Sequence, residues 1–142
     1  MTDPATLRSL LDAARAARAN AYAPYSRYAV GAAVLAADGR VFAGCNVENA
    51  AYPVGTCAEA GALAAMVAGG ARRAAAVLVV ADGPRLVAPC GACRQRIREF
   101  ASDDAPVHLA DADGIRQTLR VADLLPHAFG PETLGAEPEG AA

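Results

Sequence analysis

Two short stretches decide how this chain is read: Thr56-Cys57-Ala58-Glu59 and, further on, Ala88-Pro89-Cys90-Gly91-Ala92-Cys93-Arg94. Cysteine thiolates are soft ligands suited to Zn²⁺, and three protein ligands leave the fourth tetrahedral position open to a water. Glu59, two residues past Cys57, is then available as a proton carrier. Cys90 and Cys93 stand three apart at what reads as a helix start, so both side chains lie on one face and reach one ion. Cys57 opens a second helix in this reading. Partial positive charge at two helix N-termini then favours the thiolate form of all three cysteines.

A C-x-x-C pair alone also occurs in redox pairs and in half of a structural zinc knuckle. A structural site wants a fourth protein ligand, and the remaining candidates lack the context for one. Cys45 sits in an apolar stretch that reads as a strand end, where a free cysteine behaves as a small hydrophobe. His108, in Pro106-Val107-His108-Leu109, reads as a strand residue and His127 as a loop residue. Glu59 keeps a bland alternative of its own, that of an acid in a first helical turn complementing the dipole.

Working outward from these stretches, the chain alternates helices and strands. Residues 6–20 carry Leu7, Leu10 and Leu11 at helical spacing after Asp3-Pro4, a helix start. Residues 28–36 and 41–45 flank Asp38-Gly39 and predict an antiparallel hairpin. A helix over 57–68 closes at Gly69-Gly70, and the apolar run 75–80 predicts a buried strand. A third helix over 91–101, strands at 107–110 and 117–121 around Asp113-Gly114, and a short helix at 122–125 complete the pattern. Alternation of this kind implies an α/β fold, a three-layer α/β/α sandwich. Both cysteine segments follow loops and open helices, so their ligands emerge at one edge of the sheet if the two helices pack side by side.

The spacing C-x-E followed by P-C-x-x-C resembles that of the zinc-dependent nucleoside and base deaminases. The resemblance continues in Tyr25-Ser26-Arg27-Tyr28-Ala29-Val30-Gly31-Ala32-Ala33, in Gly44-Cys45-Asn46-Val47-Glu48-Asn49-Ala50 and in Leu124-Leu125-Pro126-His127-Ala128-Phe129-Gly130-Pro131. These segments are similar, in order from about Leu7 to Leu134, to the small homotetrameric cytidine deaminases. That family implies a mixed sheet of about five strands, one Zn²⁺ per chain on Cys57, Cys90 and Cys93, and Glu59 as the catalytic acid and base. The implied reaction is hydrolysis of the amino group of cytidine or deoxycytidine, in pyrimidine salvage. Residues 1–134 are then the deaminase domain, and the Gly/Glu/Ala/Pro-rich residues 135–142 a flexible tail.

The resemblance also assigns substrate contacts. Asn46 and Glu48 hold a ribose hydroxyl, a pairing that chemistry supports because an amide donates and a carboxylate accepts. The backbone of Ala58 and the carboxylate of Glu59 read the base. Tyr28 stands at an aromatic position where phenylalanine is usual, and Tyr52 and Phe129 are lid aromatics, Phe129 reaching in from a neighbouring subunit. Core packing is the plain alternative for both lid residues. The chain departs from the pattern after the catalytic glutamate, where the family usually places an arginine that bonds the zinc thiolates and this sequence has Ala60. Zn²⁺ with three thiolates carries a net charge of −1, so Arg94, directly after Cys93, and the helix N-termini are expected to balance the site. Arg96 is expected to face elsewhere.

Composition narrows the partners. The 142 residues suffice for one domain with a core, and all 13 basic residues are arginine against 15 acidic ones. A formal charge of −2 and 5% aromatic content give poor footing for polymeric nucleic acid. No run approaches the roughly 18 apolar residues of a membrane span, and Met1-Thr2-Asp3-Pro4 lacks a signal pattern, which points to a soluble, cytoplasmic protein. Two rival functions share these features: a deaminase of a nucleoside antibiotic such as blasticidin S, and a non-catalytic zinc-stabilised binding module in which Glu59 is incidental. The Asn46-Val47-Glu48-Asn49 stretch favours an ordinary ribose nucleoside over the first.

Overall fold

The structure, a computed structural model, describes residues 2–137; the part of the expected tail at 138–142 lies outside them. Its first helix, α1 (Pro4–Arg18), starts where Asp3 accepts from the Ala5 and Thr6 N–H groups. The hairpin follows as β1 (Val30–Ala36) and β2 (Val41–Cys45), antiparallel with Leu35 opposite Val41. Gly39 takes φ +89° in its turn, a conformation that a side chain disfavours. Helix α2 (Ala58–Ala68), strand β3 (Ala74–Ala81), helix α3 (Gly91–Phe100), strands β4 (Pro106–Asp111) and β5 (Gly114–Arg120) and helix α4 (Val121–Leu124) complete the order.

The five strands form one mixed sheet in the order β2-β1-β3-β4-β5, with β3 and β4 parallel and the other neighbours antiparallel. Strand residues alternate faces, and the two faces bury different partners. Val34, Val77, Val79, Val107 and Leu109 pack with Leu63 and Met66 of α2 and Ile97 of α3. Ala33, Ala76, Leu78, Val80 and Ala110 pack with Leu10 and Ala14 of α1. The result is the expected three-layer sandwich. Strand β3 reads as an unbroken apolar run because it lies mid-sheet with both faces covered.

Two details position the site. A Cβ on Gly44 would collide with the backbone of Ala58 and Ala62, so this glycine lets α2 lie directly on β2 and fixes where that helix begins. The crossover from β3 to β4 runs through α3, which packs beside α2 on the same face. Both helix starts therefore meet at one end of the sheet. Element boundaries differ from expectation at the edges: β1 begins at Val30 and β5 at Gly114, and two 3-10 turns, Tyr52–Val54 and Pro131–Leu134, lie where no helix or strand was expected.

Candidate active site

Cys57 is the N-cap of α2 and Cys90 the N-cap of α3, both in extended backbone conformation. Cys93 lies in the first turn of α3 and is fully buried. The three sulfurs lie within 4.8 Å of one another, and Cys57 Sγ is 3.8 Å from Cys90 Sγ. A tetrahedron of sulfurs at about 2.3 Å from zinc has an edge of about 3.8 Å. A disulfide needs about 2.05 Å, and all three cysteines are free. The donor set thus fits a zinc ion.

Glu59, in the first turn of α2, is only 4% exposed. Burial raises the pKa of Cys93 well above the ordinary thiol range, and the charge of Glu59 and a hydrogen bond to it push the same way. Burial also raises Cys57. At Cys90 burial is outweighed by hydrogen bonds from the Cys93 N–H and from the Cys57 and Cys93 thiols, and the pKa falls. Without a cation among the sulfurs, only Cys90 is shifted toward the thiolate. A cation among the sulfurs reverses that balance, as a coordinated thiol is deprotonated outright.

Cys57, Cys90 and Glu59 line a cleft of about 420 Å³, within the usual range of small-ligand sites. Tyr28, Asn46, Glu48, Tyr52 and Ala58 line it. The segment 46–48 is pinned on both sides, by Val47 pairing with Thr56 and by the Tyr22 N–H and C=O bonding Asn46 O and Glu48 N. Asn46 Oδ1 accepts from the Val30 N–H at 2.9 Å and Nδ2 donates to the Tyr28 carbonyl at 2.8 Å. One amide hydrogen and one lone pair remain. Glu48 Oε1 accepts from the Tyr25 and Ser26 N–H groups at 2.9 and 3.0 Å. Hydrogen bonds from the Ser26 side chain and N–H and from the Tyr25 N–H lower the Glu48 pKa, so it stays a carboxylate. Ala58 is the first residue of α2, and its N–H has no intrahelical acceptor.

Residues 4–109 match the family described as the cytidine and deoxycytidylate deaminase zinc-binding region. The chain belongs to this family. A cytidine deaminase of Sporosarcina psychrophila is 46% identical over 128 residues, 90% of this chain and 94% of the relative. One of Mycobacterium tuberculosis is 42% identical over 121 residues, 85% of this chain and 87% of the relative. The crystal structure of cytidine deaminase from Burkholderia pseudomallei superposes with a TM-score of 0.82 at 46% identity, covering 91% of this chain and all of that one. Cys57, Cys90 and Cys93 form the zinc site of this family member.

Of the residues expected from sequence, the cleft gathers Cys57, Cys90, Glu59, Ala58, Tyr28, Asn46, Glu48 and Tyr52, with Cys93 beneath them. Tyr52 packs edge-to-face on Tyr25, ring centroids 5.7 Å apart, and is 75% exposed. Phe129 does not line the cleft of its own chain; it is 57% exposed, and its carbonyl accepts from Gln95 Nε2. Cys45 stands at the end of β2, outside the sulfur cluster, and His108 is buried between Thr2 and Thr118.

Arg94 differs from expectation. Its Nε donates to the Pro89 carbonyl at 2.7 Å and its Nη1 to the Leu124 carbonyl at 3.0 Å, so it ties α3 to α4 rather than bonding a sulfur. The guanidinium at a sulfur is that of Arg96, whose Nη1 lies 3.9 Å from Cys93 Sγ. Neighbours in sequence point about 100° apart on a helix, whereas residues three apart share a face. That rule applied to Cys93 singles out Arg96. Tyr25 and Ser26, whose N–H groups hold Glu48, were also missed as site residues, since backbone donors carry no side-chain signature.

Proposed function

We infer that this chain is a zinc-dependent cytidine deaminase, hydrolysing cytidine to uridine with release of ammonia. One observation carries the reading: a buried carboxylate, Glu59, set beside three zinc-spaced sulfurs at the base of an open cleft. Cys57, Cys90 and Cys93 would hold the zinc ion, which would supply Lewis acidity to the attack of water. Glu59 supplies the proton route. Its carboxylate takes a proton from water, gives it to ring N3 as C4 becomes tetrahedral, and then helps protonate the departing amino group. One water enters and one ammonia leaves, so no other reactant is needed. Burial suits the task, because a carboxylate shielded from bulk water keeps its proton for the substrate.

Asn46 and Glu48 hold the sugar in this reading. A ribose hydroxyl donates to Glu48 Oε2 and accepts from the remaining hydrogen on Asn46 Nδ2. Both side chains are already oriented by backbone bonds, so little ordering cost falls on binding. The Ala58 N–H and Glu59 read the base, and Tyr28 and Tyr52 wall the pocket, with deoxycytidine as the second substrate. We assign Phe129 to the cleft of a neighbouring subunit in a homotetramer with shared sites. Its exposure and its absence from its own cleft support this. Free zinc-site thiols suit a reducing, cytoplasmic setting. No described helix is long and apolar enough to cross a membrane.

The test is loss of cytidine's ultraviolet absorption with stoichiometric ammonia release by the zinc-loaded protein. A chain that holds one zinc and leaves cytidine unchanged contradicts the reading.

A further inference from the structure

The zinc site leaves charge to be balanced. One Zn²⁺ and three thiolates sum to −1, and the sulfur with the least access to water is Cys93, at 0% exposure. A cation touching that sulfur lowers the cost of holding it as an anion. Position 60, three residues past Cys57 on α2, holds an alanine with no donor to offer. The equivalent place on α3, three residues past Cys93, holds Arg96, with Nη1 3.9 Å from Cys93 Sγ. Arg94 is occupied with the Pro89 and Leu124 carbonyls.

We propose that Arg96 is a positioning residue of the zinc site, bonding the Cys93 thiolate from the outer face of α3 and offsetting the negative charge of the cluster. This rests on the zinc-site assignment. Arg96 is an exposed residue and Cys93 a buried one, so the 3.9 Å contact joins a solvent-facing guanidinium to the most enclosed sulfur of the cluster. A guanidinium suits the role, being always charged and able to donate to sulfur and to water at once. Donation to a metal-bound thiolate withdraws electron density from it, so Arg96 acts on the metal through Cys93 and never touches the substrate.

The role is tested by metal binding, independently of turnover. Arg96→Ala is expected to weaken zinc about tenfold in competition with a chromophoric chelator, while the melting temperature of the zinc-free protein stays that of wild type. In the cobalt-substituted protein the sulfur-to-metal charge-transfer band is expected to move to longer wavelength, because sulfur lone pairs without a donor lie higher in energy. Ala60→Arg, placed three residues past Cys57 as Arg96 is past Cys93, is expected to recover most of the lost affinity in the Arg96→Ala background. Wild-type zinc affinity and an unshifted cobalt band in Arg96→Ala overturn the proposal. So does an affinity loss that Ala60→Arg leaves unrepaired and that parallels a lower melting temperature without metal, since Arg96 would then merely stabilise α3. Failure of wild type itself to bind zinc would instead strike the site assignment.

Discussion

The base of the cleft and its rim are built on different principles. At the base, Cys57, Cys90, Cys93 and Glu59 hang from two helix starts packed on the sheet, and two of the four are buried. At the rim, Tyr25, Tyr28 and Tyr52 are 39% to 75% exposed and stand outside the sheet and the α-helices, Tyr52 at the start of a 3-10 turn, while Asn46 and Glu48 are held by backbone hydrogen bonds. The base is complete within one chain. The rim is ordered but open, with large apolar surface that a second copy is proposed to cover. In the proposed reading, chemistry thus sits where packing fixes geometry, and recognition where a partner or substrate can still approach.

The contrast breaks most sharply at a ligand. Cys90→Ala is expected to abolish zinc binding and activity together and to lower the melting temperature, because metal binding and folding are linked. A variant that kept stoichiometric zinc by elemental analysis would show that Cys90 is no ligand. At the rim losses are expected to be graded. Asn46→Ala or Glu48→Ala should reduce kcat/KM on cytidine by roughly ten- to a thousandfold, corresponding to about 1.4–4 kcal/mol of lost or unpaired hydrogen bonds. Free cytosine, which lacks the sugar, should be a poor substrate and nearly indifferent to both changes. Equal losses on the two substrates would remove these residues from the sugar site.

A smaller effect sharpens the claim that the rim is shared. Co-assembling Glu59→Ala chains with Phe129→Ala chains should create some clefts in which both residues are intact, so mixed oligomers should exceed either parent in activity. No gain in verified mixed oligomers would return Phe129 to its own chain. The smallest effect lies away from both regions, at His108. Burial lowers its pKa below the ordinary 6.5, so the folded chain holds it neutral while the unfolded chain takes up a proton. The stability it contributes is complete above that value and falls as pH drops through it. Melting temperatures of zinc-saturated protein should decline as pH falls below about 6.5, and less steeply in His108→Gln. Matching slopes would exclude His108 from the decline.

Base and rim also differ in how far the sequence revealed them. The ligands and Glu59 follow from a short spacing, because helix periodicity turns C-x-x-C into a shared face and the ligand chemistry does the rest. The alternation of elements was legible for the same reason. The order β2-β1-β3-β4-β5 was not, since strand neighbours are chosen by long-range packing such as α2 lying on Gly44. The rim was legible mainly through resemblance, because the donors that hold Glu48 belong to the backbone of Tyr25 and Ser26. Arg94 and Arg96 differ for a simpler reason: helical periodicity sets Arg96, three residues on, beside Cys93, while Arg94, its neighbour in sequence, turns to Leu124.

Glu59→Gln tests the central claim most directly, because it keeps the shape of the buried side chain and removes only the proton route. Zinc content and cytidine turnover should be measured on the same preparation. The account predicts one zinc per chain, an unchanged fold and a turnover lower by several orders of magnitude. Loss of zinc would make Glu59 a ligand, and near wild-type turnover would assign the proton transfer to another group; either result contradicts the mechanism.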